Sequence, residues 1–160
     1  NVEGRGEVTL TTLVRQSLRM RPDRLVVGEV RGAEVREMLS ALNTGHEGGA
    51  STLHANAIAD VPARFEALGA LAGLPPDAVH AQLASALDVV IHLARSGGRR
   101  TLREVGVVTR QRGARLAEVV PALGPGGERL AGWTQLCDLL GVGTAVRVVQ
   151  GEVPFGEVAP

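Results

Sequence analysis

The 160 residues contain no lysine and no tyrosine, a single cysteine and only three aromatic side chains, Phe65, Trp133 and Phe155. Each scarcity excludes something. With Cys137 alone, no intrachain disulfide can form, and a reducing compartment is expected. With so few aromatic rings, the core must be packed from Val, Leu and Ala. No apolar run approaches the roughly 18 residues of a membrane-spanning helix, and no signal-peptide pattern is present. The net charge is zero, which argues against nucleic acid and against an acidic membrane surface as partners. All 17 basic residues are arginine, read mainly as a composition bias. The length suits one domain with a real core. The chain begins without Met, inside a loop-like segment, so a piece of a longer protein is expected.

What is present is an alternation of short helical and strand patterns. Residues 1–8 read as loop. Leu10, Leu13, Val14 and Leu18 share a helical face, with Thr9 as cap and Pro22 as stop. Leu25-Val26-Val27 reads as a strand buried on both faces. Val35, Met38, Leu39 and Leu42 predict a second helix, closed by Asn43 and Gly45. Residues 50–54 read as a second strand. Asp60 is expected to cap a third helix that turns Phe65, Leu68 and Ala72 inward and ends at Gly73. Pro75-Pro76-Asp77 opens a fourth, carrying Val79, Leu83 and Leu87. Residues 89–93 give the strongest strand signal. After a turn at 96–100, residues 102–109 and 116–120, separated by Gln111-Arg112-Gly113, read as an antiparallel hairpin at the sheet edge. Trp133, Leu136, Leu139 and Leu140 suggest one more short helix. This order predicts an α/β fold, a mostly parallel sheet with flanking helices and a C-terminal β-hairpin. Residues 1–120 form the expected domain, and 121–160 are expected to be a weakly structured or divergent tail.

Twice an apolar run ends in a polar group able to do chemistry, Glu29 first and His54 second. Parallel strands joined by a helix end at the same edge, and ligands of such sheets sit outside those carboxyl ends. Neighbouring strands lie about 4.8 Å apart. Adjacent or with one strand between them, both side chains can reach one cleft. A carboxylate there suits Mg²⁺ reached through water, or a base orienting an attacking water. A histidine beside it can donate to a phosphate oxygen and sense its loss, and Arg31 can add positive charge. Blander readings stand beside these. Glu29 can be a carboxylate capping the helix that starts near Gly32. His54 can be a hydrogen-bonded structural histidine. His46 lies in a glycine-rich loop where a solvated turn is as good a reading. His80 is expected to be exposed on its helix, and His92 to be a packing or edge residue. Arg15, Arg19, Arg21 and Arg24 form either a phosphate-binding or subunit-contact face or a solvated one. His46, Glu47, His54 and Glu29 match no familiar zinc spacing.

Arg21-Pro-Asp-Arg-Leu-Val-Val-Gly-Glu-Val-Arg-Gly32 resembles the atypical Walker B strand of secretion and pilus-assembly ATPases, in which glutamate replaces the usual aspartate. Thr44-Gly-His-Glu-Gly-Gly-Ala-Ser-Thr-Leu-His-Ala-Asn56 resembles their His box. The segment before Arg21 is similar to the one just upstream in the Tad/Flp pilus branch of the type II/IV secretion system ATPases. The resemblance covers about residues 1–110 and implies part of a RecA-like P-loop NTPase domain in a homo-hexameric motor using ATP and Mg²⁺. Such motors work at the cytoplasmic face of the inner membrane, against pilus or secretion platform proteins. The resemblance makes Glu29 the Walker B carboxylate near Mg²⁺ and His54 the histidine near the γ-phosphate. Arg31, His46, Arg21 and Arg24 become candidates for nucleotide or intersubunit contacts.

One departure shapes the expectation. A Gly-x-x-x-x-Gly-Lys-Ser/Thr phosphate loop is impossible in a chain without lysine. The chain therefore resembles the C-terminal half of the motor domain, with the Walker A loop and the family's Asp box upstream of Asn1. It is expected to be inactive by itself and active as an ATPase within the complete motor. The alternative is a catalytically silent module that packs against partner subunits. A sheet cut before its phosphate-loop strand is also expected to expose an apolar edge and to be only marginally stable alone.

Overall fold

A computed structural model describes residues 8–44, 48–96, 98–110 and 116–144. The expected loop at 1–7, the candidate His46 with Gly45, the turn at 111–113 and the end of the chain from 145 lie outside the described residues.

Helix α1 (Leu10–Arg19) starts where the Thr9 hydroxyl accepts the Thr12 amide. Strand β1 (Val26–Val27) leads through a loop to α2 (Val35–Leu42), which Asn43 closes. Strand β2 (Ala50–Ser51) pairs with β1 in parallel, Val26 opposite Ala50 and Val27 opposite Ser51. A short 3-10 turn (Ile58–Asp60) then opens α3 (Val61–Leu71). Asp60 stands at the cap position but makes no side-chain cap bond; the proline following Val61 presets the first turn instead. Gly73, at φ 72, reverses the chain into α4 (Pro76–Ala86).

Strands β3 (Val89–Ser96), β4 (Arg99–Thr109) and β5 (Glu118–Leu123) form a second sheet, antiparallel throughout. The expected mostly parallel sheet is thus corrected. Among the described residues only β1 and β2 are parallel, because β3 turns through Gly98 straight into its partner and a tight turn permits only antiparallel pairing. The expected C-terminal hairpin is present as β4 and β5. Strand β5 runs on through Pro121, which costs no ladder bond at the edge of a sheet. Residues 121–144, expected to begin the tail, carry the end of β5 and helix α5 (Trp133–Leu139). Its Leu136 and Cys137 are buried. Among the described residues no helix is long and apolar enough to cross a membrane.

The main core joins α1, β1, α2, α3, α4 and the outer part of β4 and β5. Val35, Leu39, Leu68, Val79 and Leu83 are among its fully enclosed members. Each stabilises the fold by about 1.5–3 kcal/mol relative to exposure. Strand β1 is not buried on both faces. Leu25 and Val27 are enclosed, while Val26 is 71% exposed, because the strand alternates and only one of its faces meets the helices. A groove of about 430 Å³ runs between β2 and β3, lined by residues 49–55 and 89–93 together with Met38, Ile58 and Phe65. Ile91 and Leu93 are exposed on β3.

Gly106 is where the 3-10 turn meets the antiparallel sheet. A Cβ there would stand 2.5 Å from Val119 Cγ1 and 2.8 Å from Ile58 Cδ1. Gly106→Ala is expected to destabilise the protein by about 1–3 kcal/mol through overpacking, read as a lowered thermal midpoint. An unchanged midpoint would show that Ile58 can move aside.

Candidate functional site

The β1–β2 register fixes the site before any side chain is considered. Partners differ by 24 in number, so continuing the pairing sets Glu29 opposite Leu53 and Val30 opposite His54. Hydrogen bonds hold the two chains together past the strand ends. The Val30 amide donates to Thr52 O at 3.0 Å, and the Thr52 hydroxyl donates to Gly28 O. Glu29 and His54 therefore sit diagonally at the carboxyl ends of adjacent parallel strands. Of the two arrangements expected, the structure has the strands directly adjacent.

The side chains meet accordingly. Glu29 Oε2 lies 2.5 Å from Arg31 Nη2, and Glu29 Oε1 lies 2.8 Å from His54 Nε2. The carboxylate is largely covered, at 23% exposure, whereas Arg31 and His54 stand 74% and 82% exposed. One recessed anion thus holds two outward-facing groups able to bind phosphate oxygens. The hydrogen bond from Arg31 keeps the Glu29 carboxyl below its ordinary range against an opposing push from burial, and the nearby charges of Arg31 and His54 act with the bond. Glu29 is therefore ionised at neutral pH. The same pairing pushes the Arg31 guanidinium up.

Glu29 Oε1 is shut off from solvent and has no aligned hydrogen-bond partner, although His54 is close. A carboxylate with an oxygen left unsatisfied in this way is one whose charge a Mg²⁺ ion with its water shell would complement. Among the described residues no three His, Cys, Asp or Glu side chains gather into a protein cage. One carboxylate, with phosphates and waters completing the shell, is the usual arrangement for this ion.

Glu29 does not cap α2, and Glu34, which stands at the cap position, makes no side-chain bond to the helix itself; it binds the loop before it. Glu34 Oε1 accepts the amides of Arg31 at 2.7 Å and Gly32 at 2.9 Å. Burial pushes its carboxyl up, but the backbone amides of Arg31, Glu34 and Gly32 outweigh that and hold it below the ordinary range. The sequence reading missed this residue, whose partners are backbone amides of the preceding loop.

The other candidates are spread out. Arg21 and Arg24 precede β1 and so lie at the opposite end of that strand from Glu29, with Arg24 packed near Gly48. Arg15 pairs with Glu37 on α2, and Arg19 reaches Gln16. His92 sits on β3 and pairs across the sheet with Glu104 at 3.1 Å. His80 corrects an expectation. It is 2% exposed, with Nε2 at 2.5 Å from Glu66 Oε1 and Nδ1 accepting the Ala117 amide at 3.0 Å. These partners lie on α3 and just before β5, so the ring ties three elements together. Beside His54 opens a shallow depression of about 600 Å³, bounded by Asn56, Asp60 and Arg64.

The family model for type II/IV secretion system proteins matches residues 1–125. A putative conjugal transfer protein of Mycobacterium tuberculosis, Rv3659c, is 64% identical over 114 residues, covering 71% of this chain and 32% of the relative. The conjugal transfer protein TrbB of Rhizobium radiobacter is 38% identical over 98 residues, 61% of this chain and 30% of the relative. The crystal structure of the VirB11 ATPase of the Brucella suis type IV secretion system, in complex with sulphate, superposes with a TM-score of 0.56. Its identity is 28%, over 62% of this chain and 33% of that one. The chain therefore spans about a third of the length of the curated relatives it matches.

Proposed function

The chain belongs to the type II/IV secretion system protein family, and from that premise we propose that it is the C-terminal half of a RecA-like, ATP-hydrolysing motor domain. The observation that carries this reading is the Glu29 carboxylate between Arg31 and His54 at the ends of two parallel strands. In the whole polypeptide it acts as half of a nucleotide site. Residues 1–120 are the motor portion. The motor works as a homo-hexamer at the cytoplasmic face of the inner membrane, against platform proteins of pilus assembly or secretion. The segment before Arg21 supports the Tad/Flp branch.

The residues have separate tasks. Glu29 is the carboxylate that would hold the water shell of a Mg²⁺ ion, which would supply neutralisation of phosphate charge. His54, exposed at the site edge, donates to a terminal phosphate oxygen. Arg31 supplies positive charge from the other side of Glu29. The lysine that cradles the phosphates comes from elsewhere in the polypeptide, since this chain has none. The groove between β2 and β3 is the place we assign to the strand leading into that phosphate loop, because residues of both strands line it.

Phosphate release with ATP·Mg²⁺, measured on the whole polypeptide and on this chain alone, tests the reading. Steady turnover by the former and none by the latter is expected. A whole polypeptide that neither binds nor hydrolyses ATP would overturn it and establish the second reading, a silent subunit-interaction module. The absence of lysine is the observation that favours that alternative.

A further inference from the structure

Glu34 stands at the start of α2, but its carboxylate works on the loop before the helix. Its Oε1 takes both the Arg31 and the Gly32 amides, so one oxygen pins the backbone of the residue whose guanidinium reaches Glu29. Gly32 leaves room for this: a Cβ there would stand 3.1 Å from Glu34 Oε2. Among the described residues, what holds Arg31 beyond that pin is its ion pair with Glu29, and its side chain is mostly in solvent. A long exposed side chain loses rotamer entropy when fixed, and an exposed pair by itself contributes little. The direction of Arg31 is therefore set by where its backbone is held.

We propose that Glu34 is a positioning residue, which acts through Arg31 to fix the guanidinium against Glu29 and the phosphate side of the site. The inference rests on the nucleotide-site reading above, yet its first arm is independent of it. Val35 follows Glu34 directly and is fully buried in the core, so α2 stays docked when the carboxylate is removed. Loss of Glu34 is then a local release of residues 31 and 32.

The test uses the whole polypeptide with Glu34→Ala, Glu34→Gln, Arg31→Ala and the Arg31→Ala/Glu34→Ala double variant. The first arm is amide hydrogen exchange without nucleotide. Glu34→Ala is expected to speed exchange at residues 31 and 32 while peptides from α3 and α4 keep their rates. Unchanged exchange at 31 and 32, or faster exchange everywhere, overturns the proposal. The second arm is ATP turnover. Glu34→Ala is expected to lower kcat about ten- to a hundredfold, as small misplacements of a positioned group do, with KM within about twofold. Glu34→Gln keeps an oxygen able to accept both amides and is expected to recover kcat to within about threefold of the parent, given the modest net worth of one such bond. In the Arg31→Ala background, adding Glu34→Ala is expected to cost less than about twofold, because coupled residues are not additive. A full second loss there would mean that Glu34 acts independently of Arg31, which overturns the proposal. If local exchange rises as expected while Glu29→Gln still hydrolyses ATP at the parent rate, the nucleotide-site reading fails and the Glu34 hydrogen bonds stand.

Discussion

Glu29→Gln is expected to lower ATP turnover by the whole polypeptide about 10²–10³-fold, the loss typical of removing one preorganised charged or polar group from a reacting centre. The substitution preserves shape and changes charge alone. Glu29 is ionised in the parent because the Arg31 hydrogen bond holds its carboxyl below the ordinary range. Glutamine cannot offer a full negative charge to a cation's water shell, nor balance both Arg31 and His54. Binding of ATP·Mg²⁺ is expected to change less than about threefold, because in the proposed motor a phosphate loop and its lysine would supply most of the binding energy. The pair of measurements is turnover at saturating nucleotide and calorimetric affinity. A matched loss in affinity would instead mark Glu29 as a ground-state binding group.

The largest expected effect on stability lies away from the site. His80→Ala is expected to destabilise the protein by about 3 kcal/mol or more. The loss combines a buried amide left unpaired, about 1–3 kcal/mol, with a cavity where the ring stood. His80 is almost wholly enclosed and bonded at both ring nitrogens, to Glu66 on α3 and to the Ala117 amide ahead of β5. Because Nδ1 accepts an amide hydrogen, the ring proton sits on Nε2 and is donated to Glu66. At roughly 2–4 °C per kcal/mol for a chain of this size, the thermal midpoint should fall by about 10 °C. His80→Asn keeps an acceptor near the Nδ1 position and should recover part of that fall. Equal midpoints for the parent and His80→Ala would show that the ring is not the tie described.

The fate of His80 shows where the sequence stopped being informative. Helix α4 is rich in alanine, so its pattern distinguishes poorly between a solvent face and a core face. What buries His80 is distant: Glu66 lies 14 residues before it and Ala117 lies 37 after. Thr9 was legible for the opposite reason. Its cap bond reaches only Thr12, and such local chemistry leaves a local mark. Val26 was misjudged because a three-residue run of Leu and Val reads alike whether one face or two are buried. The parallel pair was legible through the helix between its strands. The second sheet was not expected to stand apart, because a single strong strand does not announce its partners. Glu29 and His54 were visible as polar groups ending apolar runs, and the register then made them neighbours. Glu34 escaped notice because it works on backbone amides, which carry no residue identity.

The central claim is that Glu29 and His54 act as one site, and a double-substitution cycle in the whole polypeptide tests it most directly. Turnover is measured for Glu29→Gln, His54→Ala and the two combined. Residues that act as a unit show grossly non-additive losses, so the combined variant is expected to match Glu29→Gln within about threefold. Losses that multiply would mean that the two side chains, 2.8 Å apart, serve separate purposes, and would contradict the account.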